Sequence, residues 1–466
     1  MRHSFTIDET GRPRRTITRL QDSLSSRHHG NMKSKPKCNR DIPTASARLP
    51  DGRLIELVYD REQGATGFAM SDDGDVTFVD AVDLPTGGRL VPIAAENNLI
   101  RHHVVMLPAR PAAFESVATL TAEIEVHLSR YVDLSPSFLK IASTYILLSW
   151  VYDAFNELPY LRLRGEPGSG KTRALIAIGS LCYKAFFASG ASTVSPIFHS
   201  LDMFRGTLIF DEADFRFSDE KAELIKIFNN GNVRGFPVLR ASMLPKREFD
   251  PQAFMVFGPK IVAMRHAFAD PALESRFITE EMGQRPLRSD IPINLPDIQE
   301  AEAEQLRNKL LHYRFQYLDG LAINPLLADP NLTPRLNQIL IPLLSIVEDQ
   351  GVRGHIVTAA NDLDRALKNE RAATPEARLL EVLATCLRDT DDLTLPLSVI
   401  TQVFTMQFGS DFERPVTARY LGSLLRNRLH LVSYKTGGVY VVPVTELPKV
   451  EMLSIRYGVT PTKRDA

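Results

Sequence analysis

A glycine-rich run between two regular segments constrains this chain more than any other feature. Residues 165–172 satisfy the pattern G-x-x-x-x-G-K-[ST]. The preceding residues 160–164 alternate like a strand, and residues 172–179 carry strong helix formers. A loop of this composition between a strand and a helix brings successive backbone N–H groups toward phosphate oxygens, at the positive end of the helix. The sequence therefore predicts a phosphate cradle rather than a glycine-rich turn with a chance lysine.

Two residues of this cradle carry most of the expected chemistry. Lys171 would reach the β- and γ-phosphates, and the hydroxyl of Thr172 would bind Mg²⁺. These roles make ATP and Mg²⁺ the predicted cofactors. The residues of the loop that are predicted to contact the nucleotide are Gly165, Glu166, Pro167, Gly168, Ser169, Gly170, Lys171 and Thr172.

A second landmark lies further along the chain, where the apolar run 207–210 ends in Asp211 and Glu212. Ligands of parallel sheets bind where the strands end. We therefore expect Asp211 to hold Mg²⁺ through water, and Glu212 to act as the general base that polarises the attacking water. An acidic pair after an apolar strand is common by chance, but its combination with the cradle favours this assignment.

Length and composition bound the kind of protein. A chain of 466 residues with 44% hydrophobic residues predicts roughly three domains with buried cores. Its net charge of -1 excludes a uniformly basic nucleic-acid coat, so DNA contacts must come from local patches. The three cysteines show no metal-ligand spacing, and no signal peptide is visible, which indicates a cytoplasmic location. The most apolar run, residues 141–152, is too short to span a membrane and predicts a buried helix.

Shifts in pattern divide the chain into five parts. Residues 1–45 are polar and basic and predict a disordered tail, which either adds weak affinity for nucleic acid or has no function; Met32 is an alternative start. Residues 46–112 contain four short β-like runs, the last at 103–107, and predict a small β domain. The remaining parts are a core with a helical lid at 113–370, a further unit at 375–450 and a tail at 451–466.

Three motifs in succession resemble those of AAA+ ATPases. Residues 165–172 resemble Walker A, residues 208–214 resemble Walker B, and residues 272–277 resemble the arginine-finger segment of the MCM replicative helicases. Other segments resemble the helicase-like ATPases encoded beside phage and plasmid replication genes. This resemblance implies an α/β fold, with an AAA+ P-loop NTPase core of parallel sheet and helical lid. The segments that carry the second likeness are 228–231, 233–240 and 257–260.

The resemblance also implies an arginine that acts between subunits. Arg276 would reach the nucleotide of the adjacent subunit, where its fixed charge stabilises the transition state. The protein would then work as a homo-oligomer, of which a hexameric ring is one form. An intrasubunit salt bridge from Arg276 to Glu274 or Glu280 is the alternative.

Two sensor positions of the family match this chain less well. Met264 stands where the family has Thr or Asn at the end of the sensor 1 strand, and Arg265 is the nearest polar candidate. Thr333 and Pro334 predict the start of a helix, so that Arg335 projects from its first turn. Arg335 resembles the sensor 2 arginine, which makes it a predicted nucleotide ligand; a plain surface arginine is the alternative.

Residues 375–450 follow the order of a winged helix, with three helices, a short strand and a hairpin. The third helix, predicted at 417–427, is the candidate recognition helix, and flanking cations suit duplex DNA. Many winged helices contact only protein, and that alternative stays open. The candidate DNA-binding residues are Arg419, Arg426, Arg428 and Lys435.

These features together predict a Mg²⁺-dependent ATPase that acts on DNA, as a helicase-like or replication-initiation motor of a mobile element. DNA is the expected partner, and no membrane association is expected. One alternative is an AAA+ regulator that remodels a protein partner. Another is a DNA-binding protein switched by nucleotide, with little turnover.

Overall fold

The structure is a computed structural model. It describes residues 40–72, 74–85, 87–211, 219–241, 251–268 and 270–459, together with an antiparallel pair of short strands, β1 (Phe5–Ile7) and β2 (Pro13–Arg15). Glu212 and most of the predicted basic tail lie outside the described residues. The disorder predicted for that tail therefore stays a prediction.

The amino-terminal β unit begins earlier than the sequence predicted. Its first strand pairs in parallel with its last strand, so the unit starts at residue 40 and not at 46. The fourth predicted strand, at 103–107, is wrong, because those residues form only an isolated bridge to the core at Val105. The elements of this region are β3 (Arg40–Thr44), β4 (Ser46–Arg48), β5 (Leu54–Asp60), β6 (Ala65–Asp72), β7 (Asp75–Val79), β8 (Val82–Asp83), β9 (Gly88–Pro92) and α1 (Asn98–Arg101).

The strands of this unit form two sheets. One has the antiparallel order β4-β5-β6-β7, and the other has the order β3-β9-β8. Ile55, Phe68 and Met70 point between them into a small core of their own.

The central part of the chain is a mixed α/β unit built on a five-stranded parallel sheet. Its strand order is β11-β12-β15-β10-β16, with helices packed on it and a separate hairpin of β13 and β14. The strands are β10 (Tyr160–Arg164), β11 (Phe186–Ser189), β12 (Leu208–Asp211), β13 (Val238–Arg240), β14 (Gln252–Phe254), β15 (Lys260–Met264) and β16 (Phe277–Glu281). The helices are α2 (Val117–Tyr131), α3 (Pro136–Trp150), α4 (Lys171–Gly179), α5 (Val194–Phe204), α6 (Asp219–Asn230) and α7 (Pro271–Glu274).

Helix α3 is the buried helix that the apolar run predicted. The Ser135 hydroxyl accepts the N–H of Phe138, and Pro136 occupies the first turn, so the helix starts where its capping residues stand. From Ile141 to its end every residue is buried. None of the helices in the described part of the chain combines the length and apolarity needed to cross a membrane.

Three helices, α8 to α10, come after the sheet in the chain. The residues after them form a small final unit with its own hydrophobic core. The predicted tail at 451–466 is wrong in part, because α14 continues to Tyr457 and packs on α11. The elements are α8 (Ile298–Tyr317), α9 (Pro334–Ser345), α10 (Gln350–Ala372), α11 (Pro375–Arg388), β17 (Thr394–Pro396), α12 (Leu397–Phe408), α13 (Ala418–Ser423), β18 (Tyr434–Thr436), β19 (Val439–Pro443) and α14 (Leu447–Tyr457).

A buried charge network joins the β unit to the helices and loops that pack around the central sheet. Glu56 on β5 lies 2.7 Å from the Lys184 ammonium and 2.7 Å from the Arg314 guanidinium, and Arg314 also binds Asp153. Burial disfavours the charged carboxylate, but the two cations outweigh it and lower the pKa of Glu56. Removing one member would leave a buried charge unpaired, so the network fixes how the two units meet.

Candidate functional site

The predicted cradle lies between β10 and α4, where the sequence placed it. Gly170 precedes the first residue of α4 with a φ of 90°, a conformation that favours glycine. A Cβ at Gly165 would lie 2.7 Å from the carbonyl oxygen of Met282, so only glycine fits there. The loop therefore lies at the start of a helix, which is where backbone N–H groups bind phosphate in proteins.

Lys171 is held over the loop that it belongs to. Its ammonium donates to the carbonyl oxygens of Gly165 at 2.6 Å and Glu166 at 2.8 Å. These bonds fix the cation beside the backbone N–H groups of the same loop. Phosphate oxygens in the cradle would thus meet a positive charge that is already in place.

Thr172 and Asp211 meet across the carboxyl edge of the sheet. The Thr172 hydroxyl donates to the Asp211 carboxylate at 2.7 Å, although the two residues come from α4 and the end of β12. A hydroxyl and a carboxylate side by side are the hard oxygen ligands that suit Mg²⁺. The residues present therefore fit the metal that the sequence predicts. Glu212 follows directly but lies outside the described residues, so its role stays a prediction.

An Asp211→Asn variant tests this metal site. Asparagine keeps the shape and the hydrogen bond from Thr172 but loses the charge that attracts Mg²⁺. We expect Mg²⁺ affinity in the nucleotide complex to fall by about 10- to 100-fold. The measurement is Mg²⁺ titration of the protein with a fluorescent ATP analogue, and the control is Asp83→Asn on β8, an exposed carboxylate remote in sequence from the cradle. Equal Mg²⁺ dependence in both variants would contradict the assignment.

Two clefts open beside the cradle, and the segment that follows β16 lines both of them. The first is lined by the loop 165–169 together with Arg164, Arg265 and Glu281. The second contains Tyr131 and the exposed apolar side chains of Leu287 and Ile293. The sequence did not predict a role for this segment after β16, because its only local signal is a few apolar residues spaced along a polar loop.

The two sensor 1 candidates lie in different surroundings. Met264 is buried at the end of β15, and its carbonyl oxygen accepts the N–H of Gly165 at 3.3 Å. Arg265 is exposed and lines the first cleft with the cradle loop. Of the two residues, Arg265 is therefore the one placed to meet a phosphate.

Arg276 lies at the opposite end of the sheet from the cradle of its own chain. Its carbonyl oxygen accepts the N–H of Tyr160, the first residue of β10, whereas the cradle follows the last. A strand of this length separates the two by about 16 Å.

The alternative ion pairs for Arg276 are wrong. Glu274 is bound by Arg162, and Glu280 accepts from Ser135 instead. Arg276 itself donates to the amide oxygen of Asn229.

Arg335 lies beside Arg276 and not beside the cradle of its own chain, which corrects the expected position of this nucleotide ligand. Both arginines line one cavity, between the start of α9 and the loop after α6. Burial lowers the pKa of Arg276, and the charge of Arg335 lowers it further. None of the described residues that line the cavity is acidic. The cavity therefore offers two cationic groups to an anion.

The four candidate DNA-binding residues are spread over the last unit. Arg419 is exposed on α13, and Lys435 lies opposite Tyr440 in the register of the β18–β19 hairpin. The guanidinium of Arg426 lies 5.5 Å from the ring of Tyr440, which sequence reasoning missed. Arg428 points toward Glu376, at 3.9 Å.

The predicted helix at 417–427 has a different form in the structure. Its α-helical part is α13, and residues 424–428 continue as a π-helical turn. The Thr417 hydroxyl caps it by accepting the N–H of Tyr420. The wider turn carries Arg426 and Arg428, and such turns are frequent at functional sites.

No protein-family model and no curated protein sequence matches this chain. It is similar to the apo structure of the NrS-1 C-terminal region, with a TM-score of 0.35 and 10% identity, over 84% of this chain and 96% of that one. For JCV helicase the TM-score is 0.23 and the identity 15%, over 54% and 61%. For the Aeropyrum pernix ORC1 protein in complex with DNA the values are 0.21 and 14%, over 72% and 96%. At these scores the similarity assigns no activity to this chain.

Proposed function

We propose that this protein is an AAA+ ATPase that binds ATP with Mg²⁺ in the cradle at residues 165–172. The observation that carries the proposal is the Thr172–Asp211 hydrogen bond, because it joins the cradle helix to the acidic strand end at the place where a phosphate-bound metal belongs. A glycine-rich turn of purely structural use would not need that pairing.

Different residues of this chain would have different roles in ATP hydrolysis. Bound Mg²⁺ would supply positive charge to the phosphate oxygens, and Thr172 and Asp211 would hold it. Lys171 offsets charge on the γ-phosphate, and Glu212 orients the attacking water. The cleft with Tyr131, Leu287 and Ile293 would take the nucleoside, since its apolar side chains suit the face of a base.

We infer that the active form is a homo-oligomer, of which a hexameric ring is one form. Arg276 and Arg335 lie about a strand length from their own cradle, so they serve this chain's nucleotide poorly. Their shared cavity would instead face the nucleotide of an adjacent subunit. There Arg276 would stabilise the charge of the transition state.

DNA is the partner that the last unit supports best. Three helices, a short strand and a hairpin follow in the order of a winged helix, and the exposed Arg426 lies beside Tyr440 of that hairpin. Cations with an aromatic ring suit phosphates and bases. We therefore propose a helicase-like or replication-initiation motor of a mobile element, working in the cytoplasm.

Turnover of ATP with and without single- and double-stranded DNA tests this function. Stimulation by DNA is the expected result, because the motor couples hydrolysis to its partner. ATP turnover that is the same with and without DNA would point to a regulator that remodels a protein partner. Tight ATP binding with almost no turnover, in assembled protein with DNA present, would point to a nucleotide-switched DNA-binding protein.

Charge reversal at Arg419 and Arg426 tests the DNA-binding surface. Each lost phosphate contact should lower the salt dependence of DNA binding by roughly one unit of slope. Basal ATPase should stay the same, because both residues belong to the separate last unit. The matched control reverses Arg101 and Arg110, which are exposed and precede the core. DNA affinity and slope that are equal in both double variants would favour the protein-adaptor alternative.

A further inference from the structure

A buried ion pair lies between the two ends of the central sheet. Arg162, in the middle of β10, binds the Glu274 carboxylate through both of its terminal nitrogens, one of them at 2.6 Å. Its Nε donates to the hydroxyl of Thr279 at 3.0 Å, and Glu274 also accepts the N–H of Phe268 at 2.9 Å. Both charged side chains are almost fully buried. Such a pair persists only when its hydrogen bonds are satisfied, as they are here.

The pair holds the turn that carries Arg276. Glu274 ends α7, two residues before Arg276, and Phe277 follows directly. The guanidinium of Arg162 lies 5.6 Å from the Phe277 ring, while the N–H of Tyr160 donates to the Arg276 carbonyl. The turn is thus fixed before, at and after Arg276, each time by a residue of β10. That strand leads straight into the cradle.

Arg162 also decides which cation the Glu274 carboxylate neutralises. Because Glu274 is fully used by Arg162 and Phe268, it does not pair with Arg276 two residues away. Among the described residues no carboxylate lies within ion-pair distance of Arg276, whose guanidinium donates to the neutral amide of Asn229. The charge of Arg276 therefore stays available to an anion outside the chain.

We propose that Arg162 and Glu274 are positioning residues for Arg276, and that their ion pair keeps Arg276 directed at a neighbouring subunit's nucleotide. This inference rests on the proposed function, because it assumes that Arg276 acts across a subunit interface. Neither residue touches the nucleotide. Loss of either residue should impair the action of Arg276 on the neighbouring subunit's nucleotide. Nucleotide binding in the subunit's own cradle should be unchanged.

The test starts with Glu274→Gln, which removes the charge and keeps the side-chain length. We expect affinity for a fluorescent ATP analogue to stay within about twofold of the unaltered protein. ATPase should fall by about 100-fold, the usual cost of a small misplacement of a reacting group. If Glu274→Gln fails to fold, Arg162→Lys replaces it, since lysine keeps the charge but not the two-pronged contact.

Mixed oligomers separate positioning from general damage. Lys171→Ala subunits lack a working cradle but carry an intact Arg276, so mixing them with Glu274→Gln subunits should restore ATPase. Mixing Glu274→Gln with Arg276→Ala should restore nothing, because both lack the same contribution. Rescue in both mixtures or in neither would overturn the inference, and so would full activity of Glu274→Gln alone.

Two controls complete the experiment. Arg276→Ala mixed with Lys171→Ala must regain activity; if it does not, the proposed intersubunit role fails, and the positioning role fails with it. Glu56→Gln breaks a buried ion network in the β unit instead. It should lower the melting temperature without an ATPase defect per folded subunit. A Glu56→Gln protein that matches Glu274→Gln in both mixtures would show that loss of stability alone explains the result.

Discussion

Lys171→Ala protein should bind ATP about 100-fold more weakly than the unaltered protein, or not at all. The lysine ammonium would make charge-assisted hydrogen bonds to the phosphates, each contributing about 1.5 kcal/mol or more, so two lost bonds account for a factor of this size. Its bonds to the carbonyl oxygens of Gly165 and Glu166 would be lost with it. Titration with a fluorescent ATP analogue measures the effect.

Two companion variants sharpen this experiment. Lys309→Ala removes a lysine of α8 that pairs with Glu123, and it should leave nucleotide affinity unchanged. Glu212→Gln should bind nucleotide normally and lose turnover, because it removes the base and keeps the cradle. If Lys171→Ala protein binds the analogue with unchanged affinity, residues 165–172 are not the nucleotide site.

The strand–loop–helix geometry around residues 165–172 could be predicted from sequence because its determinants are local. Gly165 and Gly170 are required by backbone geometry within a few residues of the loop, so the motif contains its own cause. Asp211 was also predictable, because an apolar strand of this kind delivers its last residue to a known edge of the sheet. In the structure the Thr172 hydroxyl donates a hydrogen bond to the Asp211 carboxylate.

The surroundings of Arg276 could not be predicted in the same way. Nearness in sequence favours Glu274 and Glu280 as its partners, but in the fold these carboxylates bind Arg162 and Ser135. Arg162 looks like an ordinary alternating strand residue. Only the parallel pairing of β10 with β16 brings its guanidinium to Glu274.

Two predicted boundaries between units, at residues 46 and 450, are displaced in the structure for a related reason. Residues 40–44 follow a basic tail and carry little apolar signal, yet they pair with β9, more than forty residues away in the chain. Likewise α14 extends beyond the predicted end at 450 because Val450 and Leu453 join the last core. Strand pairing across a long loop and burial of single side chains produce no hydrophobic periodicity in a short stretch of sequence, so they cannot be predicted from it.

Arg276→Ala protein should bind ATP normally yet hydrolyse it about 10³- to 10⁵-fold more slowly, since this arginine acts on transition-state charge. ATPase per subunit of the unaltered protein should rise with protein concentration, because a monomer lacks its neighbour's arginine. Activity that is independent of concentration in a monodisperse monomer would contradict this.

The decisive measurement mixes two inactive proteins, Arg276→Ala and Glu212→Gln. In a mixed ring, some interfaces pair an intact Glu212 of one subunit with an intact Arg276 of its neighbour, so part of the activity should return. An arginine acting within its own chain predicts no rescue, because each site with a working Glu212 would still lack its arginine. The position of Arg276 beside Tyr160, at the far end of β10 from the cradle, favours the first outcome. Mixed oligomers that form and stay inactive would contradict the intersubunit role.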